Sequence, residues 1–376
     1  MKLTAENFLG LPNFEWEPHD VCLLTGPNGS GKTSLLHAFA FLRGVFLYGV
    51  PRALQFLGGA RGFKRRGAAA DVPVRISLEV DGVVWALEMF THGGALSEYP
   101  GERLTVDDHV VLRRVAGSNE WSHGEQRISE TLDDEPRSCL RAAWERSPDA
   151  RWRPLIEALR GMRIYNQKWS VPRLWDDALP FNEQVFLDTR GSNLFSVLHN
   201  WRANPRRYRY QFEWVQRHAR NAFGDIFDDL EIVPQSDIVS VTFFAPGDGD
   251  GLPVRRAADG LIVGLLHLTA IAGMRDGALV AIDEMENQLH PHAIRVILGA
   301  MRELSEERDL TILLTTHSPV LMNEFAEATD RFYVAERGGE QFPVPLDQLH
   351  DPRWLAQSSL GGLYERLRIA APVAKE

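Results

Sequence analysis

The fold class is indicated most directly by the octapeptide Gly26-Pro27-Asn28-Gly29-Ser30-Gly31-Lys32-Thr33. It fits the phosphate-loop pattern G-x-x-x-x-G-K-[ST]. An apolar run at residues 21–24 precedes it and predicts a strand, while residues 34–48 carry apolar side chains at helical spacing. Because strand, loop and helix follow in the order that the pattern requires, the alternative of a glycine-rich turn with a chance lysine is disfavoured.

The loop predicts phosphate binding. Its glycines let backbone N–H groups turn toward phosphate oxygens, and the following helix adds its positive N-terminal end. We therefore expect residues 26–33, together with Ser34, to contact the nucleotide. Lys32 would reach the β- and γ-phosphates and take part in catalysis, and the Thr33 hydroxyl would bind magnesium. The predicted ligands are ATP and Mg2+.

A second motif is the apolar run of residues 279–282, which ends in Asp283 and Glu284. A carboxylate at a strand tip can hold magnesium through water, which suits Asp283. Glu284 points elsewhere and can orient or deprotonate the attacking water, which makes it the predicted catalytic base. Alone, such a strand end is more often just solvated, but the phosphate loop favours the functional interpretation.

The third motif is Leu313-Leu314-Thr315-Thr316-His317-Ser318-Pro319, again a buried strand that ends in polar residues. His317 can donate a hydrogen bond to the γ-phosphate and is predicted to be catalytic. In isolation, a histidine that caps a strand for structural reasons would be the better interpretation. Its position one helix and one strand after Asp283 favours the functional one.

Bulk composition is that of an ordinary globular protein, with 44% hydrophobic and 24% charged residues in a chain of 376. The net charge of -10 predicts that any nucleic-acid contact comes from local basic patches. Cys22 and Cys139 lack metal-site spacing and are expected to be reduced thiols. The start of the chain lacks a signal-peptide pattern and no apolar run is long enough to span a bilayer, so we expect a cytoplasmic protein with no membrane partner.

Strands and helices alternate on both sides of a middle region of mixed charged, aromatic and proline-containing segments, which predicts an α/β core with a largely parallel sheet. Residues 74–80 and 83–90 alternate around Asp81-Gly82, a hairpin signal. We expect four parts: the N-terminal half of the ATPase domain at 1–92, an inserted, mainly helical lobe at 93–235, the C-terminal half at 236–350 and a tail at 351–376.

Four ordered segments carry a family resemblance: Glu6-Asn7-Phe8 with Gly10, the phosphate loop, residues 282–291 and residues 315–319. They resemble the prokaryotic AAA family ATPases of the ABC-ATPase clade, which includes the SMC, RecF and OLD (overcoming lysogenization defect) families, of the type found in anti-phage defence systems. The resemblance covers about residues 1–90 and 236–340 and leaves out the middle region.

The resemblance implies the fold class: an α/β P-loop NTPase, an ABC-type ATPase head with a largely parallel sheet, an antiparallel β subdomain and an inserted, mainly helical lobe. It also implies a homodimer that sandwiches ATP, with a signature motif from each partner on the other's γ-phosphate. Here that motif falls at residues 257–261, and Asp259 and Gly260 are the expected nucleotide contacts. Ala258 stands where the family usually has serine, and the missing hydroxyl removes one phosphate contact. Gln55 and Gln167 are both candidates for the family's glutamine loop.

Function beyond ATP hydrolysis has several candidates. Motion of the dimer would act on DNA or on a separate effector protein, in anti-phage defence or genome maintenance. Arginines at residues 61–66, 151–163 and 202–209, the last among aromatics, suit nucleic-acid contact, although such runs are more often solvated helix faces. An ATP-binding scaffold without hydrolysis and a transporter nucleotide-binding subunit are alternatives. A small-molecule kinase would leave Asp283, Glu284 and His317 unexplained.

Overall fold

The structure is a computed structural model of the chain. It describes residues 1–59, 62–65, 67–69, 71–92, 95–96, 99–129, 137–165, 179–236, 238–335, 342–366 and 369. Gln167, one of the two glutamine-loop candidates, lies outside these residues, as do Arg61 and Arg66 of the first arginine cluster. None of the helices in the described ranges is long and apolar enough to cross a bilayer.

Strands make up much of the described chain. In chain order they are β1 (Lys2–Glu6), β2 (Phe14–Trp16), β3 (Val21–Thr25), β4 (Val74–Val80), β5 (Val83–Met89), β6 (Thr91–His92), β7 (Ala95–Leu96), β8 (Gly101–Val106), β9 (His109–Arg114), β10 (Glu120–His123), β11 (Gln126–Ser129), β12 (Arg163–Tyr165), β13 (Leu179–Pro180), β14 (Asp229–Gln235), β15 (Ile238–Phe244), β16 (Leu252–Pro253), β17 (Leu279–Ile282), β18 (Thr311–Thr315), β19 (Phe332–Val334) and β20 (Val344–Pro345).

Helices of very different lengths connect these strands. In chain order they are α1 (Lys32–Tyr48), α2 (Val50–Phe56), α3 (Cys139–Arg146), α4 (Arg153–Gly161), α5 (Leu194–Ala203), α6 (Pro205–Phe223), α7 (Asp259–Ala272), α8 (Pro291–Arg308), α9 (Pro319–Asn323), α10 (Leu346–Leu349), α11 (Pro352–Leu355) and α12 (Leu360–Glu365).

The central sheet has the order β12-β17-β18-β3-β19-β20, in which only β20 runs antiparallel to its neighbour. Its strands are buried on both faces. In β3, Val21 and Leu23 join the apolar cluster on one face, whereas Cys22 and Leu24 join the cluster on the other. The continuous apolar runs of β3, β17 and β18 follow from this double burial.

Helices cover both faces of the central sheet. The cluster on one face takes its side chains from α5–α9 and α12, and the cluster on the other takes them from α1–α4 and from the antiparallel sheet. A further small sheet, in the order β13-β15-β14 with β16 on β15, lies beside α5 and α6 in sequence and shares the first cluster. The predicted fold class, an ABC-type P-loop head with a parallel sheet and an antiparallel subdomain, is confirmed.

The antiparallel sheet has eight strands in the order β11-β10-β9-β8-β5-β4-β1-β2. The predicted hairpin is present, with Val80 opposite Val83 and with Asp81 and Gly82 both at positive φ. Its neighbour β8 comes from the range predicted to be an inserted lobe, because Val83 pairs with Val106. The expected boundary at residue 92 therefore interrupts one continuous sheet.

The middle range is not a single helical lobe. Residues 101–129 form strands of the antiparallel sheet, α3–α6 are helical as expected, and β12 adds an edge strand to the central sheet beside β17. A strand as short as β12 is stabilised by pairing with a strand that is distant in sequence, and its three residues show no hydrophobic periodicity of their own. The 93–235 range is thus divided between the layers of the head.

Helix α3 is fixed to the antiparallel sheet by the fully buried carboxylate of Glu102 in β8. Its Oε2 accepts from Cys139 N at 2.8 Å and from Arg114 Nη2 at 3.2 Å. Its Oε1 accepts from Leu140 N, Ser138 Oγ and Trp85 Nε1, all within 2.9 Å. The carboxylate thus satisfies the first N–H groups of the helix, which have no partner inside the helix.

Candidate active site

The phosphate loop connects the end of β3 to the start of α1, and its glycines are required by close contacts. Gly26 has φ of 154°, and a Cβ there would lie 2.3 Å from the carbonyl oxygen of Ala335. Gly31 has φ of 110°, and a Cβ there would lie 2.6 Å from Leu11 Cδ2. The backbone carbonyl excludes a side chain at Gly26, and the left-handed conformation disfavours one at Gly31, so the tight turn favours glycine at both positions.

Lys32 begins α1, and its buried side chain folds back over the loop. Its Nζ donates to the carbonyl oxygens of Gly26 at 2.7 Å and Pro27 at 3.3 Å. Burial lowers the pKa of Lys32, and the carboxylates of Asp283 and Glu284 oppose that shift. The lysine is therefore a desolvated cation, and a phosphate bound beside it would favour its charged form.

Asp283 follows β17 and is held between two threonine hydroxyls. Thr33 Oγ1 donates to Asp283 Oδ2 at 3.1 Å, and Thr315 Oγ1 donates to Oδ1. The Thr315 hydroxyl also accepts from the backbone N–H of Glu284 at 2.8 Å. Thr315 thus joins β17 and β18 at their carboxyl ends, a role that the sequence motif did not predict.

Glu284 is exposed and has φ of 52°, in the left-handed region. The carboxylates of Asp283 and Glu284 have different hydrogen-bond partners, although the two residues are adjacent in sequence. Its Oε2 accepts from Asn287 Nδ2 at 2.8 Å. A non-glycine residue in this conformation is uncommon and is often found at functional sites.

Glu286 supplies a carboxylate that the sequence analysis did not select. Its Oε1 accepts from the backbone N–H of His317 at 2.7 Å. Its Oε2 is buried without a hydrogen-bond partner in the described part of the chain. Burial raises the pKa of Glu286, and the charge of Glu284 adds to the shift. An unsatisfied buried oxygen in a native site calls for a functional explanation.

His317 follows β18 and is the third predicted catalytic residue. Its Nδ1 lies 2.9 Å from the Tyr364 hydroxyl of α12. Burial lowers the pKa of His317, and the nearby charge of Lys32 lowers it further, so the imidazole is neutral at neutral pH. Tyr364 belongs to the segment predicted to be a C-terminal tail, and no local sequence pattern connects it with His317.

The loop and its surroundings fit a nucleotide with magnesium. No side chain caps the start of α1, because the N-cap residue is Gly31, so the first N–H groups of the helix are available to phosphate oxygens. Ser30 Oγ is buried and has no hydrogen-bond partner among the described residues. Thr33 and Asp283 place two hard oxygen ligands side by side. The described residues include no group of three or more His, Cys, Asp and Glu that could hold a metal ion.

The remaining predicted nucleotide contacts lie around this core or apart from it. Asn28 and Gly29 are exposed at the tip of the loop, and Ser34 is half-buried in the first turn of α1. Asp259 and Gly260 begin α7, where a Cβ on Gly260 would lie 2.9 Å from the carbonyl oxygen of Gln288. They belong to a different edge of the site, next to the segment that follows Asp283. The N-cap residue of α7 is Ala258, whose side chain makes no cap.

Other residues considered from the sequence have structural environments. Trp16 is buried against Phe39 and Tyr333, which agrees with its interpretation as a core residue. Gln55 is exposed on α2. Cys22 and Cys139 are buried free thiols.

Arginines of the basic clusters contact groups within the chain. Arg202 donates to Leu230 O at 3.0 Å and lies over the ring of Phe212. Arg209 pairs with Glu213 at 3.2 Å, and Arg151 pairs with Asp149 at 2.7 Å. These contacts favour the interpretation of solvated helix faces over nucleic-acid contact.

Comparisons with known proteins agree with this architecture. The family model described as "AAA domain, putative AbiEii toxin, Type IV TA system" matches residues 116–323, more than half of the chain. The matched range includes Asp283, Glu284 and His317 but not the phosphate loop. The chain therefore belongs to this AAA domain family. No protein with a curated description matches the chain.

Solved structures that resemble the chain include three SMC heads. The SmcHead bound to the C-winged helix domain of ScpA is 12% identical, covers 93% of this chain and 99% of its own, and has a TM-score of 0.51. An Smc head domain with an extended coiled coil, bound to the C-terminal domain of ScpA derived from Pyrococcus furiosus, is 12% identical over 95% and 99%, with a TM-score of 0.47. The SMC head domain from Thermotoga maritima is 13% identical over 89% and 93%, with a TM-score of 0.40. The first of these supports the ABC-type head fold, and the other two scores are too low to add to it.

Proposed function

We propose that this member of the AAA domain family is an ATPase that binds and hydrolyses magnesium-ATP at the carboxyl edge of its parallel sheet. The observation that carries the proposal is the convergence of three distant segments. The side chains of Thr33 and Thr315 both donate hydrogen bonds to the Asp283 carboxylate. The charge of Lys32 lowers the pKa of His317. Nucleotide binding is what membership of an AAA domain family implies.

Each residue has a distinct role in the proposed reaction. The N–H groups at the start of α1 bind phosphate oxygens, and Lys32 neutralises the β- and γ-phosphates. Thr33 and Asp283 would hold magnesium, which when bound neutralises charge that develops on the phosphates. Glu284 orients and deprotonates the attacking water, because its exposed carboxylate is accessible to water and is not one of the proposed magnesium ligands. His317 donates an N–H to the γ-phosphate.

We further propose that two heads form a homodimer around the nucleotide. In that arrangement Asp259 and Gly260, at the start of the long buried helix α7, would face the partner's γ-phosphate. Two observations support it: Glu284 is exposed in the single chain, and the start of α7 has no side-chain cap at Ala258. Opening and closing of such a dimer would act on DNA or on an effector protein in the cytoplasm, in anti-phage defence or genome maintenance. The SMC head solved with a bound ScpA domain is a precedent for a protein partner.

A second candidate is an ATP-binding scaffold that does not hydrolyse its nucleotide. Ala258 favours it, because the missing hydroxyl removes one contact that would close the dimer on the phosphate. The scaffold would bind ATP through the same loop, so binding alone does not distinguish the two candidates.

The test measures ATP binding, phosphate release and oligomeric state of the full chain, with and without magnesium. Lys32→Ala is the control, since it removes the buried cation that faces the phosphates. We expect magnesium-dependent phosphate release that the control lacks, and dimers in the presence of ATP. Binding without release would support the scaffold, and no binding would reject both candidates. Addition of DNA to the same assay tests whether it stimulates turnover.

A further inference from the structure

The contact between Tyr364 and His317 connects the C-terminal helix α12 to the candidate active site. The tyrosine hydroxyl lies 2.9 Å from Nδ1, the ring nitrogen that is nearer to the backbone. Histidine has one other ring nitrogen, Nε2, and only that atom remains to contact a ligand. The hydroxyl therefore controls which ring nitrogen carries the proton in the neutral imidazole.

Helix α12 is fixed against the turn that carries His317. The backbone N–H of Gly361 donates to Asn323 Oδ1 at 2.8 Å. A Cβ on Gly361 would lie 2.5 Å from the carbonyl oxygen of Pro319, so the helix approaches the turn more closely than any other residue would allow. Ser359 caps the helix by accepting from Gly362 N at 3.2 Å. The position of the Tyr364 hydroxyl is thus defined relative to His317.

The chemistry of the two groups selects one arrangement of protons. A neutral imidazole carries one N–H, and His317 is neutral because burial and Lys32 lower its pKa. The phenol of Tyr364 remains protonated, since burial and the charge of Glu286 raise its pKa. Among the described residues, His317 Nδ1 is the one hydrogen-bond partner of this hydroxyl, so the phenol proton is directed to Nδ1 and the imidazole proton lies on Nε2.

We infer that Tyr364 is a positioning residue, which holds His317 in the Nε2–H form so that this N–H donates to the γ-phosphate. The inference rests on the proposed ATPase function. It makes α12 a part of the machinery that senses the nucleotide, rather than a tail. A change at the γ-phosphate would reach α12 through a single side-chain hydrogen bond.

The experiment uses Tyr364→Phe in the full chain, which removes the hydroxyl and keeps the ring. We expect kcat to fall roughly threefold to tenfold, the range for one lost hydrogen bond of ordinary strength, while KM for ATP stays nearly constant. Tyr210→Phe is the matched control, because it removes a hydroxyl that bonds to Glu307 at 2.5 Å on a different surface. That variant should retain the kcat of the wild type.

A second readout follows the proton itself. NMR of ring nitrogens in histidine-labelled protein distinguishes Nε2–H from Nδ1–H, and the signal of His317 is assigned by its loss in His317→Gln. The wild type should show Nε2–H, and Tyr364→Phe should shift the population toward Nδ1–H. Gly361→Ala, which forces α12 away from Pro319, should give the same shift with the phenol intact, whereas Gly362→Ala should give less.

The outcomes separate this inference from the function on which it rests. An active wild type with equal kcat and an unchanged tautomer in Tyr364→Phe would overturn the role of Tyr364 and leave the ATPase proposal intact. A fall in kcat without a change of tautomer would also overturn it. A wild type that releases no phosphate would reject the ATPase proposal, and a tautomer still set by Tyr364 would then concern ATP binding only.

Discussion

Charged side chains are buried in two places: around Glu102 in the antiparallel sheet and around Lys32 at the parallel sheet. The two clusters differ in how many of their buried polar atoms have hydrogen-bond partners. Both oxygens of Glu102 accept hydrogen bonds, including one from the buried Arg114. In the other cluster, Ser30 Oγ and Glu286 Oε2 are buried without partners among the described residues. The first arrangement is complete within the chain, whereas the second leaves polar groups for a ligand.

The largest effect on turnover is expected for Glu284→Gln in the Lys32 cluster. We expect turnover to fall by ~100- to 10,000-fold, because a general base is lost, while ATP still binds. The unfolding free energy should stay within about 0.5 kcal/mol of the wild type, since the side chain is exposed. Phosphate release, ATP titration and denaturant unfolding provide the three measurements. Unchanged hydrolysis would remove Glu284 from the catalytic role.

For Glu102→Ala we expect a loss of stability without a change in turnover. It removes the only carboxylate that pairs with the buried Arg114 in the described chain and the acceptor of two helix N–H groups, so the unfolding free energy should fall by ~3–5 kcal/mol. The kcat of the folded fraction should be unchanged. Glu88→Ala is the control on the same sheet, since it breaks an exposed pair with Arg75 and should cost under about 1 kcal/mol. Equal losses in the two variants would contradict the structural role of Glu102.

His267 in α7 is another fully buried polar side chain, and its burial favours the neutral imidazole. Its Nδ1 lies 2.7 Å from Val263 O, and burial lowers its pKa from 6.5 to about 4. The stability contributed by the neutral form is complete above pH 6.5 and is lost as the pH falls toward 4. We expect about 3 kcal/mol of acid destabilisation, which His267→Leu should not show. Denaturant unfolding at several pH values measures the difference, and parallel curves would exclude His267 as the cause.

The smallest change in unfolding free energy is expected for Glu286→Gln, which should stabilise the protein at neutral pH. Because burial raises the pKa of Glu286 above 4.5, ionisation costs the folded state stability as the pH rises through that region. The glutamine variant should be more stable by about 1 kcal/mol at neutral pH and should lose this advantage near pH 4. Its ATPase activity should fall, since the carboxylate beside His317 is gone. A variant that is less stable at neutral pH would show that Glu286 serves the fold.

The motifs that lie within a few residues of one another were predictable from the sequence. The phosphate loop, the strand ending at Asp283 and the turn at His317 each combine a buried strand with polar residues at its end. Once the strands are parallel, their carboxyl ends meet at one edge. The positions of Lys32, Asp283 and His317 in one site thus follow from local pattern together with the sheet topology.

Contacts between distant segments were not predictable in this way. Tyr364 lies 47 residues after His317 and has no pattern that connects them. β12 is too short to show a periodicity of its own, and its partner β17 is more than a hundred residues away. The strands β8 and β9 did leave a signal, because Asp107 and Asp108 form a turn between alternating segments. That hairpin was missed because the surrounding region is otherwise mixed in character.

The order of strands in the central sheet has a consequence for how the chain is made. β3 ends at Thr25, but its two neighbours start only at Thr311 and Phe332. At ~5–20 residues per second, a ribosome needs roughly tens of seconds to deliver them. During that interval the apolar strand β3 lacks a hydrogen-bonded neighbour on either edge, while the hairpins of the antiparallel sheet can already pair. The nascent protein is therefore most vulnerable to aggregation at the segment that later holds the nucleotide.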